Sequence, residues 1–368
     1  MATWSVLATV TETYGVKQPA YLDNKIYFID SQNYIATGTP TLNPGGDIYE
    51  LDPSSPSQTM ILDASSFASG TVYVVWSLAS FGGDLYASIE IETDPDIETS
   101  PRVYRWDGGT SWTQVFSTSE ANAQYAKYNR LYAQDDVMVL FIRGQGDDNG
   151  FLWYTASGSS WNAGTAGSMA GGVGTELEHD FTVYWPLGIY ELICVTDSGS
   201  TCTDSDIKDF DGSAWASFQT SPADVYLQSS PNGNCHFGGG GFYKLSADMS
   251  TADLLDSNIG ALMLMNAIDA QIGADGQTTQ TVLYQFDGAT SWVELETMST
   301  SSSIDPDFGA ASGWIANGTA NAWLLGKNTS TGNWELWERS ANFPASDADY
   351  VYTHATGGIP GAVLEAPA

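Results

Sequence analysis

Basic residues are scarce in this chain. Lysine and arginine together number 11 among 368 residues, against 44 aspartates and glutamates, so the formal net charge is −33 and the isoelectric point lies near 4.1. Nucleic-acid binding depends on Lys and Arg contacts with phosphates, so this charge excludes DNA or RNA as a partner and disfavours anionic membrane surfaces. Self-repulsion of this size keeps a protein soluble, as in salt-adapted proteins. The acidity therefore predicts either a halophilic protein or an ordinary acidic extracellular surface.

Cysteine and histidine are also scarce, with three residues of each. Cys194 and Cys202 flank a short polar turn, which leaves open a cross-hairpin disulfide or three unpaired thiols in a reducing cytosol. The sequence has no Cys-x-x-Cys pair, so a zinc site is not predicted. His179, His236 and His354 are scattered and no Gly-x-Ser-x-Gly motif accompanies them, so a hydrolase triad is not predicted.

Long hydrophobic runs are absent. The start, Met-Ala-Thr-Trp-Ser-Val, has neither basic residues nor an apolar segment, so a secretory signal is not predicted. No apolar run approaches the roughly 20 residues that a membrane-spanning helix needs. We therefore expect cytoplasmic synthesis and no membrane insertion.

Aromatic β-hairpins are abundant. In residues 103–115, Val-Tyr-Arg-Trp leads into Asp107-Gly108-Gly109, and Trp112-Thr113-Gln114-Val115 follows. Aromatic and β-branched residues favour strands, and Asp-Gly-Gly is typical of a tight turn. Related hairpins occur at residues 47–62, 152–161, 209–215, 242–255, 283–292 and 323–334. Each follows a further turn and strand, so the unit repeats about every 40 to 55 residues, which indicates four-stranded blades.

This repeat predicts an all-β fold. We expect residues 1–368 to form a single β-propeller of seven four-stranded blades, with eight blades, one of them incomplete, as the alternative. The predicted blades span residues 17–64, 71–117, 124–165, 176–220, 223–257, 260–298 and 304–340. Residues 344–368 form a C-terminal tail.

The N-terminal strand, residues 3–10, resembles a returning hairpin strand that lacks its own hairpin. Trp4-Ser5-Val6-Leu7 has the same pattern as Trp112-Thr113-Gln114-Val115. We therefore expect this strand to complete the last blade and close the ring, which would remove an exposed sheet edge. A plain N-terminal edge strand is the alternative.

The turn from Asp107 to Trp112 resembles the Asp-box of sialidase-type propellers, in which Asp-x-Gly-x-Thr/Ser-Trp closes the outer hairpin of a blade. In that family the box is structural and lies away from the active site, so the resemblance implies kelch-like or Asp-box-like blades. Sialidases also bind the substrate carboxylate with three arginines from separate blades. Here two of the five arginines flank a single strand, and sialidase activity is not predicted; the five are Arg102, Arg105, Arg130, Arg143 and Arg339.

Acidic residues are too numerous for sequence spacing to identify a catalytic pair. Glycosidic bond cleavage requires two carboxyl groups roughly 5 to 9 Å apart across a cleft, which neighbours in sequence do not establish. Close pairs expected by chance are Asp147 with Asp148, Asp94 with Asp96, and Glu176 with Glu178.

Calcium is the metal that such loops favour, because it takes hard oxygen ligands. The candidates are residues 204–212, which contain Asp204, Asp206, Asp209 and Asp211, and residues 147–150. Neither segment has the twelve-residue calcium-loop spacing, and Lys208 interrupts the first. We therefore assign no catalytic, cofactor-binding or metal-binding residue, with a structural calcium as the alternative.

The preserved turn pattern without a catalytic motif predicts a non-enzymatic, structural or binding protein. Propeller modules of tailed-virus particles resemble this chain in three ways: loose repeats, marked acidity and no predicted secretion signal. That resemblance implies a tail, fibre or capsid-surface component that contacts a host receptor, a host glycan or other virion subunits within a homo- or hetero-oligomeric assembly. It also implies a final location on a virion or an extracellular surface. The alternatives are a carbohydrate-binding or carbohydrate-active propeller enzyme, with a carboxylate pair and stacking aromatics on one face, and a cytosolic scaffold propeller.

Overall fold

The computed structural model of the protein is all-β. It describes residues 3–11, 16–30, 46–63, 72–94, 97–117, 126–134, 137–144, 149–163, 167–168, 180–184, 188–197, 202–210, 215–221, 226–229, 235–238, 242–245, 252–256, 263–267, 270–277, 280–286, 292–298, 304–305, 314–317, 320–328 and 331–342. These residues contain thirty strands and no helix, so none of them forms a helix that could span a membrane. The predicted all-β class is confirmed.

The first half of the chain forms three antiparallel sheets, numbered here in chain order. The opening strand is β1 (Trp4–Thr9). Sheet 1 contains β2 (Val16–Leu22), β3 (Lys25–Asp30), β4 (Asp47–Asp52) and β5 (Ser57–Leu62). Sheet 2 contains β6 (Val72–Phe81), β7 (Asp84–Asp94), β8 (Ile97–Gly108) and β9 (Ser111–Ser117). Sheet 3 contains β10 (Ala126–Gln134), β11 (Val137–Gly144), β12 (Asn149–Thr155), β13 (Asn162–Ala163) and β14 (Gly167–Ser168).

Four further sheets follow. Sheet 4 contains β15 (Asp180–Tyr184), β16 (Gly188–Asp197), β17 (Cys202–Phe210) and β18 (Trp215–Ser221). Sheet 5 contains β19 (Tyr226–Ser229), β20 (Cys235–Gly238), β21 (Phe242–Leu245) and β22 (Ala252–Asp256). Sheet 6 contains β23 (Met263–Ala267), β24 (Ala270–Gln277), β25 (Gln280–Phe286) and β26 (Trp292–Met298). Sheet 7 contains β27 (Ile304–Asp305), β28 (Trp314–Asn317), β29 (Ala322–Asn328), β30 (Trp334–Arg339) and the opening strand β1.

The repeated four-stranded antiparallel sheet is confirmed. Two sheets contain five strands only because one position is divided into two short strands. In sheet 3 both β13 and β14 pair with β12, and in sheet 7 both β27 and β28 pair with β29. The arrangement of the sheets as blades of one propeller, and the number of such blades, stay predictions.

The chain divides into two compact units. One consists of residues 11–176 with 211–215 and contains sheets 1 to 3; the other consists of residues 1–10, 177–210 and 216–368. Within the first unit, the first strands of successive sheets contact one another, β2 with β6 and β6 with β10. Within the second unit, β15 contacts β19 and β23 contacts β28 in the same way. Sheets 1 and 2, 2 and 3, 4 and 5, and 6 and 7 are therefore neighbours at their first strands.

The second strand of several sheets contributes a continuous buried run to the core. In β3 the residues from Ile26 to Ile29 are at most 2% exposed, and β7 and β29 contain similar buried runs, Leu85–Ile89 and Ala322–Leu325. A strand covered on both faces reads as a continuous apolar run instead of an alternating one. Burial of each large side chain contributes about 1.5 to 3 kcal/mol to stability.

The recurring tryptophan of the returning strand connects neighbouring sheets. Trp112 in β9 donates its indole N–H to the backbone oxygen of Ile61 in β5, at 3.0 Å. Trp161, just before β13, lies against Phe116 of β9 with ring centroids 4.9 Å apart. In both cases a tryptophan of one sheet contacts the fourth strand of the preceding sheet. The tryptophan spacing seen in the sequence thus has a structural cause.

The N-terminal strand β1 pairs antiparallel with β30, so sheet 7 contains residues from distant parts of the chain. The indole N–H of Trp4 donates to Glu296 of β26 at 2.8 Å, and the guanidinium of Arg339 binds the same carboxylate through two hydrogen bonds of 2.7 and 3.1 Å. Arg339 also donates to the backbone oxygens of Ala341 and Asn342. Residues from β1, β26 and β30 therefore form one polar cluster. Closure of a ring by this strand stays a prediction.

The strand register of sheet 4 separates the two cysteines that could have paired. Cys194 lies opposite Ser205, whereas Cys202 lies opposite Asp197. Three positions along a strand correspond to about 10 Å. A disulfide requires Cα atoms within roughly 7 Å, so this register does not allow the bond.

Candidate functional site

The structure describes the side chains of three of the five arginines, and all three form structural contacts. Arg105 binds Asp107 at 2.8 Å and Arg102 donates to Gln114 at 3.3 Å, both within the β8–β9 hairpin. Arg339 binds Glu296. Asp107 also accepts a hydrogen bond from the hydroxyl of Thr113, so its carboxylate holds the turn together. These contacts give the turn aspartate a structural role.

The calcium candidates do not form a described metal site. Asp204 to Asp209 lie within the strand β17, where a loop was expected. Among the described residues, no group of three or more His, Cys, Asp or Glu side chains has the geometry to hold a metal ion. Several predicted positions lie outside the described residues: Asp96, Asp147, Asp148, Glu176, Glu178, His179, Asp211, His354 and residues 344–368.

Three aspartates meet at one end of sheet 1. Asp30 is the last residue of β3 and Asp47 is the first of β4, and the two lie directly opposite each other in the antiparallel register. Asp63 directly follows β5, and all three carboxylates act electrostatically on the hydroxyl of Tyr49. We call these four residues the acidic end of sheet 1.

The two paired aspartates differ in burial. Directly opposite residues of an antiparallel pair project from the same face, with Cβ atoms about 5 Å apart. Asp30 is only 4% exposed, whereas Asp47 is half-buried. The next pair on the same face is Phe28 with Tyr49, whose rings stack at 5.6 Å with an interplanar angle of 21°. A carboxylate pair and an aromatic pair therefore lie side by side.

The hydroxyl of Tyr49 is held in its protonated form. Burial raises the pKa of Tyr49, and the negative charges of Asp47, Asp30 and Asp63 raise it further. A neutral phenol remains a hydrogen-bond donor among carboxylates that only accept. The acidic end thus contains acceptors from three residues and a donor from a fourth.

The acidic end lies against the first strand of sheet 2. Gly46, directly before Asp47, is buried with a φ of +132°, and a Cβ added there would lie 2.8 Å from the Cβ of Val75 in β6. Glycine allows both the positive φ and this close approach. The backbone that enters β4 is therefore in contact with β6.

The opposite end of sheet 1 has a different chemistry. Lys25 binds Glu50 at 2.6 Å, and the hydroxyl of Tyr27 donates to the other oxygen of Glu50 at 3.1 Å. Hydrogen bonding to Glu50 raises the pKa of Lys25, so this ion pair persists at neutral pH. Lys25 balances the charge of Glu50 and Tyr27 donates a hydrogen bond to it, so this carboxylate has a structural role. One end of sheet 1 thus contains a stabilising network, and the other end contains the pair of aspartates.

We expect several tyrosines to ionise late. Burial raises the pKa of Tyr21 to about 12, and the pKa values of Tyr27 and Tyr49 are raised by burial and nearby carboxylates. The tyrosines of the unfolded chain ionise near pH 10, whereas the buried ones of the folded protein keep their protons. The stability due to these phenols is therefore complete below pH 10 and is lost as the pH rises towards 12. Absorbance at 295 nm should show a native titration extending beyond that of the 19 tyrosines in the denatured chain. Superimposable native and denatured titrations would contradict this expectation.

Comparison with known proteins shows similarity of structure alone. No family model and no curated protein sequence matches the chain. The β-propeller domain of the Trilobed protease from Pyrococcus furiosus is similar at 9% identity and a TM-score of 0.48, covering 94% of this chain and 100% of that one. The polysaccharide lyase Uly1 is similar at 10% identity and a TM-score of 0.48, covering 92% and 91%. The Bombyx mori GH32 β-fructofuranosidase in complex with sucrose is similar at 10% identity and a TM-score of 0.43, covering 92% and 91%.

The predicted non-enzymatic virion role is wrong by this comparison. The similar structures include a glycoside hydrolase and a polysaccharide lyase, and none of the three is a tail, fibre or capsid protein. The error has a physical origin: the prediction relied on the lack of a contiguous catalytic motif. A β-sheet scaffold brings reacting groups together from separate strands, so a contiguous motif is not needed. At these identities the substrates of the two enzymes are not transferred to this chain.

Sequence reasoning missed the pair formed by Asp30 and Asp47. It considered only carboxylates adjacent in sequence, whereas residues 31–46 separate these two. The available signal was the strand pattern. Pairing the segment Lys25–Asp30 with the segment Asp47–Asp52 as an antiparallel hairpin places the two aspartates opposite each other at the end where residues 31–46 connect the strands.

Proposed function

We propose that this protein is a carbohydrate-active enzyme that cleaves glycosidic bonds at the acidic end of sheet 1. The observation that carries the proposal is the pairing of Asp30 with Asp47, directly opposite each other and next to the stacked rings of Phe28 and Tyr49. Glycosidic cleavage needs two carboxyl groups flanking the bond, and the half-buried ring of Tyr49 offers the kind of aromatic surface that commonly lines ligand sites.

The directly opposite placement of Asp30 and Asp47, with Cβ atoms about 5 Å apart, favours a retaining mechanism. Carboxyl groups about 5 Å apart suit a double displacement, whereas inverting enzymes need a wider gap for water. One carboxylate attacks the anomeric carbon while the other carboxyl protonates the leaving oxygen. Water, deprotonated by that second group, then attacks the anomeric carbon and releases the first carboxylate. Tyr49 donates a hydrogen bond within the site, and the exposed Asp63 accepts hydrogen bonds from sugar hydroxyls at its edge.

The charge of the chain restricts the substrate. A net charge of −33 repels polyanions over the whole surface, and the acidic end places three carboxylates beside the bound sugar. Uronic-acid polysaccharides and sialylated glycans are therefore poor substrates. Neutral or amino-sugar oligosaccharides fit this electrostatic environment.

We also propose that the seven described sheets are blades of a single propeller. Four pairs of successive sheets contact one another at their first strands, and β1 supplies the outer strand of sheet 7. A propeller places the first strands around a central channel, where loops between strands supply reacting groups. An experimentally determined structure with the sheets in two stacked layers would refute this arrangement.

The test is a glycan panel with product analysis. Purified protein is incubated with neutral, amino-sugar and uronic-acid oligosaccharides, and the products and their anomeric configuration are followed by NMR. We expect cleavage of a neutral or amino sugar with retention of configuration. The matched control is Glu50→Gln, which removes a carboxylate at the opposite end of the same sheet and should leave turnover unchanged. Failure of the protein to cleave any glycan in the panel would refute the proposed function.

A further inference from the structure

The outer strand of sheet 1 contains a β-bulge beside the acidic end. In the pairing of β4 with β5, Ile48 lies opposite Leu62 and the next pair is Tyr49 with Met60. Ile61 is therefore an extra residue with no opposite residue in β4. A bulge of this kind bends the strand and redirects the side chains that follow it.

The bulge decides which face of the sheet Asp63 occupies. Met60 shares a face with Tyr49, and therefore with Asp47 two positions earlier. In a regular strand the side chain three positions after Met60 would project from the other face. The extra residue shifts the alternation by one, so Asp63 projects from the face that carries Asp47. The negative charges of both aspartates act on the Tyr49 hydroxyl, which agrees with this placement.

A tryptophan of sheet 2 bonds to the extra residue. The indole N–H of Trp112 in β9 donates to the backbone oxygen of Ile61 at 3.0 Å. Ile61 is only 2% exposed, so this oxygen has little access to water. A buried carbonyl without a donor costs free energy, so the bond from Trp112 favours the bulged conformation. Sheet 2 thus holds the bulge of sheet 1 in place.

The bulge recurs in other sheets, but the carboxylate after it does not. Sheets 2, 5, 6 and 7 have an extra residue at the same place of the outer strand, namely Val115, Leu255, Leu295 and Leu7. Two positions later these four sheets have a serine or a threonine, namely Ser117, Ser257, Thr297 and Thr9. Sheet 1 has Asp63 there, next to the pair of Asp30 and Asp47. The bulge is therefore a feature of the fold, whereas the carboxylate is particular to sheet 1 among these five sheets.

We propose that Trp112 is a positioning residue of the glycosidic site, whose hydrogen bond to Ile61 keeps Asp63 oriented to accept a hydrogen bond from a hydroxyl of the bound sugar. This inference rests on the proposed function. Trp112 acts through the bulge, because its indole N–H is already bonded to the backbone. Loss of that bond loosens Asp63, while Asp30 and Asp47 keep their opposite positions in β3 and β4. Binding of the sugar is weakened and the chemical step is not.

The experiment is a double-mutant cycle between Trp112→Phe and Asp63→Ala. Phenylalanine keeps an aromatic ring without the N–H donor, and alanine removes the acceptor. Readouts are kcat and KM on the oligosaccharide that the glycan panel identifies. Circular dichroism and thermal melting check folding. If the phenylalanine variant does not fold, β-(3-benzothienyl)alanine at position 112 keeps the bicyclic ring and replaces only the N–H with sulfur.

The matched control is Trp161→Phe, at the equivalent tryptophan of sheet 3. Its ring lies against Phe116 of sheet 2 with centroids 4.9 Å apart, as a tryptophan packed on the preceding sheet. No described residue accepts a hydrogen bond from its buried indole N–H. The control therefore changes the same kind of packing without removing a hydrogen bond.

We expect Trp112→Phe to raise KM about 2- to 10-fold with little change in kcat, the range expected for loss of one hydrogen bond. Asp63→Ala should raise KM to a similar extent, and the double variant should be no worse than the worse single variant. Trp161→Phe should keep the KM of the unaltered protein.

Three results would overturn the positioning role while the proposed function stands. These are an unchanged KM in Trp112→Phe or Asp63→Ala, effects on KM that multiply in the double variant, and an equal rise in KM for Trp161→Phe. Absence of turnover in the unaltered protein would overturn the positioning role and the proposed function together.

Discussion

Asp47→Asn and Asp30→Asn should each lower kcat by about 10²- to 10⁴-fold, the usual contribution of a positioned acid, base or nucleophile. An amide has nearly the shape of a carboxyl group but neither attacks the anomeric carbon nor exchanges a proton with the leaving oxygen. The measurement is steady-state turnover of the oligosaccharide cleaved in the glycan panel. Azide should restore turnover in whichever variant has lost the nucleophile, because a small anion can replace that carboxylate.

Stability separates a catalytic role from a structural one. Like charges directly opposite each other on neighbouring strands are destabilising, by roughly 0.2 to 1 kcal/mol. Replacement of either aspartate by the neutral amide should therefore leave the free energy of unfolding within about 1 kcal/mol of the unaltered protein. Asp63→Asn, at the exposed edge of the same cluster, should reduce turnover far less. Loss of turnover that follows loss of folding in every variant would contradict the catalytic assignment.

Arg339→Met should destabilise the protein by about 3 to 5 kcal/mol, because it leaves a carboxylate without its bidentate partner in a poorly solvated position. The side chains of Arg339 and Glu296 are 9% and 19% exposed, and the pair is joined at 2.7 Å. The same change removes the donors to the backbone oxygens of Ala341 and Asn342. Chemical denaturation followed by tryptophan fluorescence measures the loss.

The control is an ion pair with similar distance and greater exposure. Arg105 and Asp107 are 2.8 Å apart, with side chains 39% and 31% exposed. Exposed pairs contribute little to stability, because water and salt screen them, so Arg105→Met should have a small effect. In the double variant Arg339→Met with Glu296→Gln, part of the lost stability should return, since no buried charge remains unpaired. Equal losses for Arg339→Met and Arg105→Met would show that burial does not determine the strength of these pairs.

Much of the fold could be predicted because its signals are local. The hairpin from Val103 to Val115 has strand residues on both sides of Gly108 and Gly109, whose φ values of +99° and +60° are the positive angles that such a turn requires. The role of its tryptophan could not be predicted. Trp112 bonds to Ile61, and no feature of the hairpin itself specifies a partner in another sheet.

The candidate site could not be predicted for the same reason. With 44 acidic residues, almost any two carboxylates of the chain are potential neighbours, and sequence distance does not rank them. The pairing of Asp30 with Asp47 depends on the register of β3 against β4, and a shift of one residue would move one of them to the other face.

By itself the amino-acid sequence determined the all-β class, the repeating strand-and-turn unit and a strongly acidic electrostatic character. These follow from side-chain periodicity, turn chemistry and net charge, which act over a few residues or over the chain as a whole. Only the tertiary structure decided which residues meet: Asp30 with Asp47 across a hairpin, and Trp4 with Glu296, which lie 292 positions apart. Such contacts depend on strand register and on packing between sheets, and neither is encoded within a single segment.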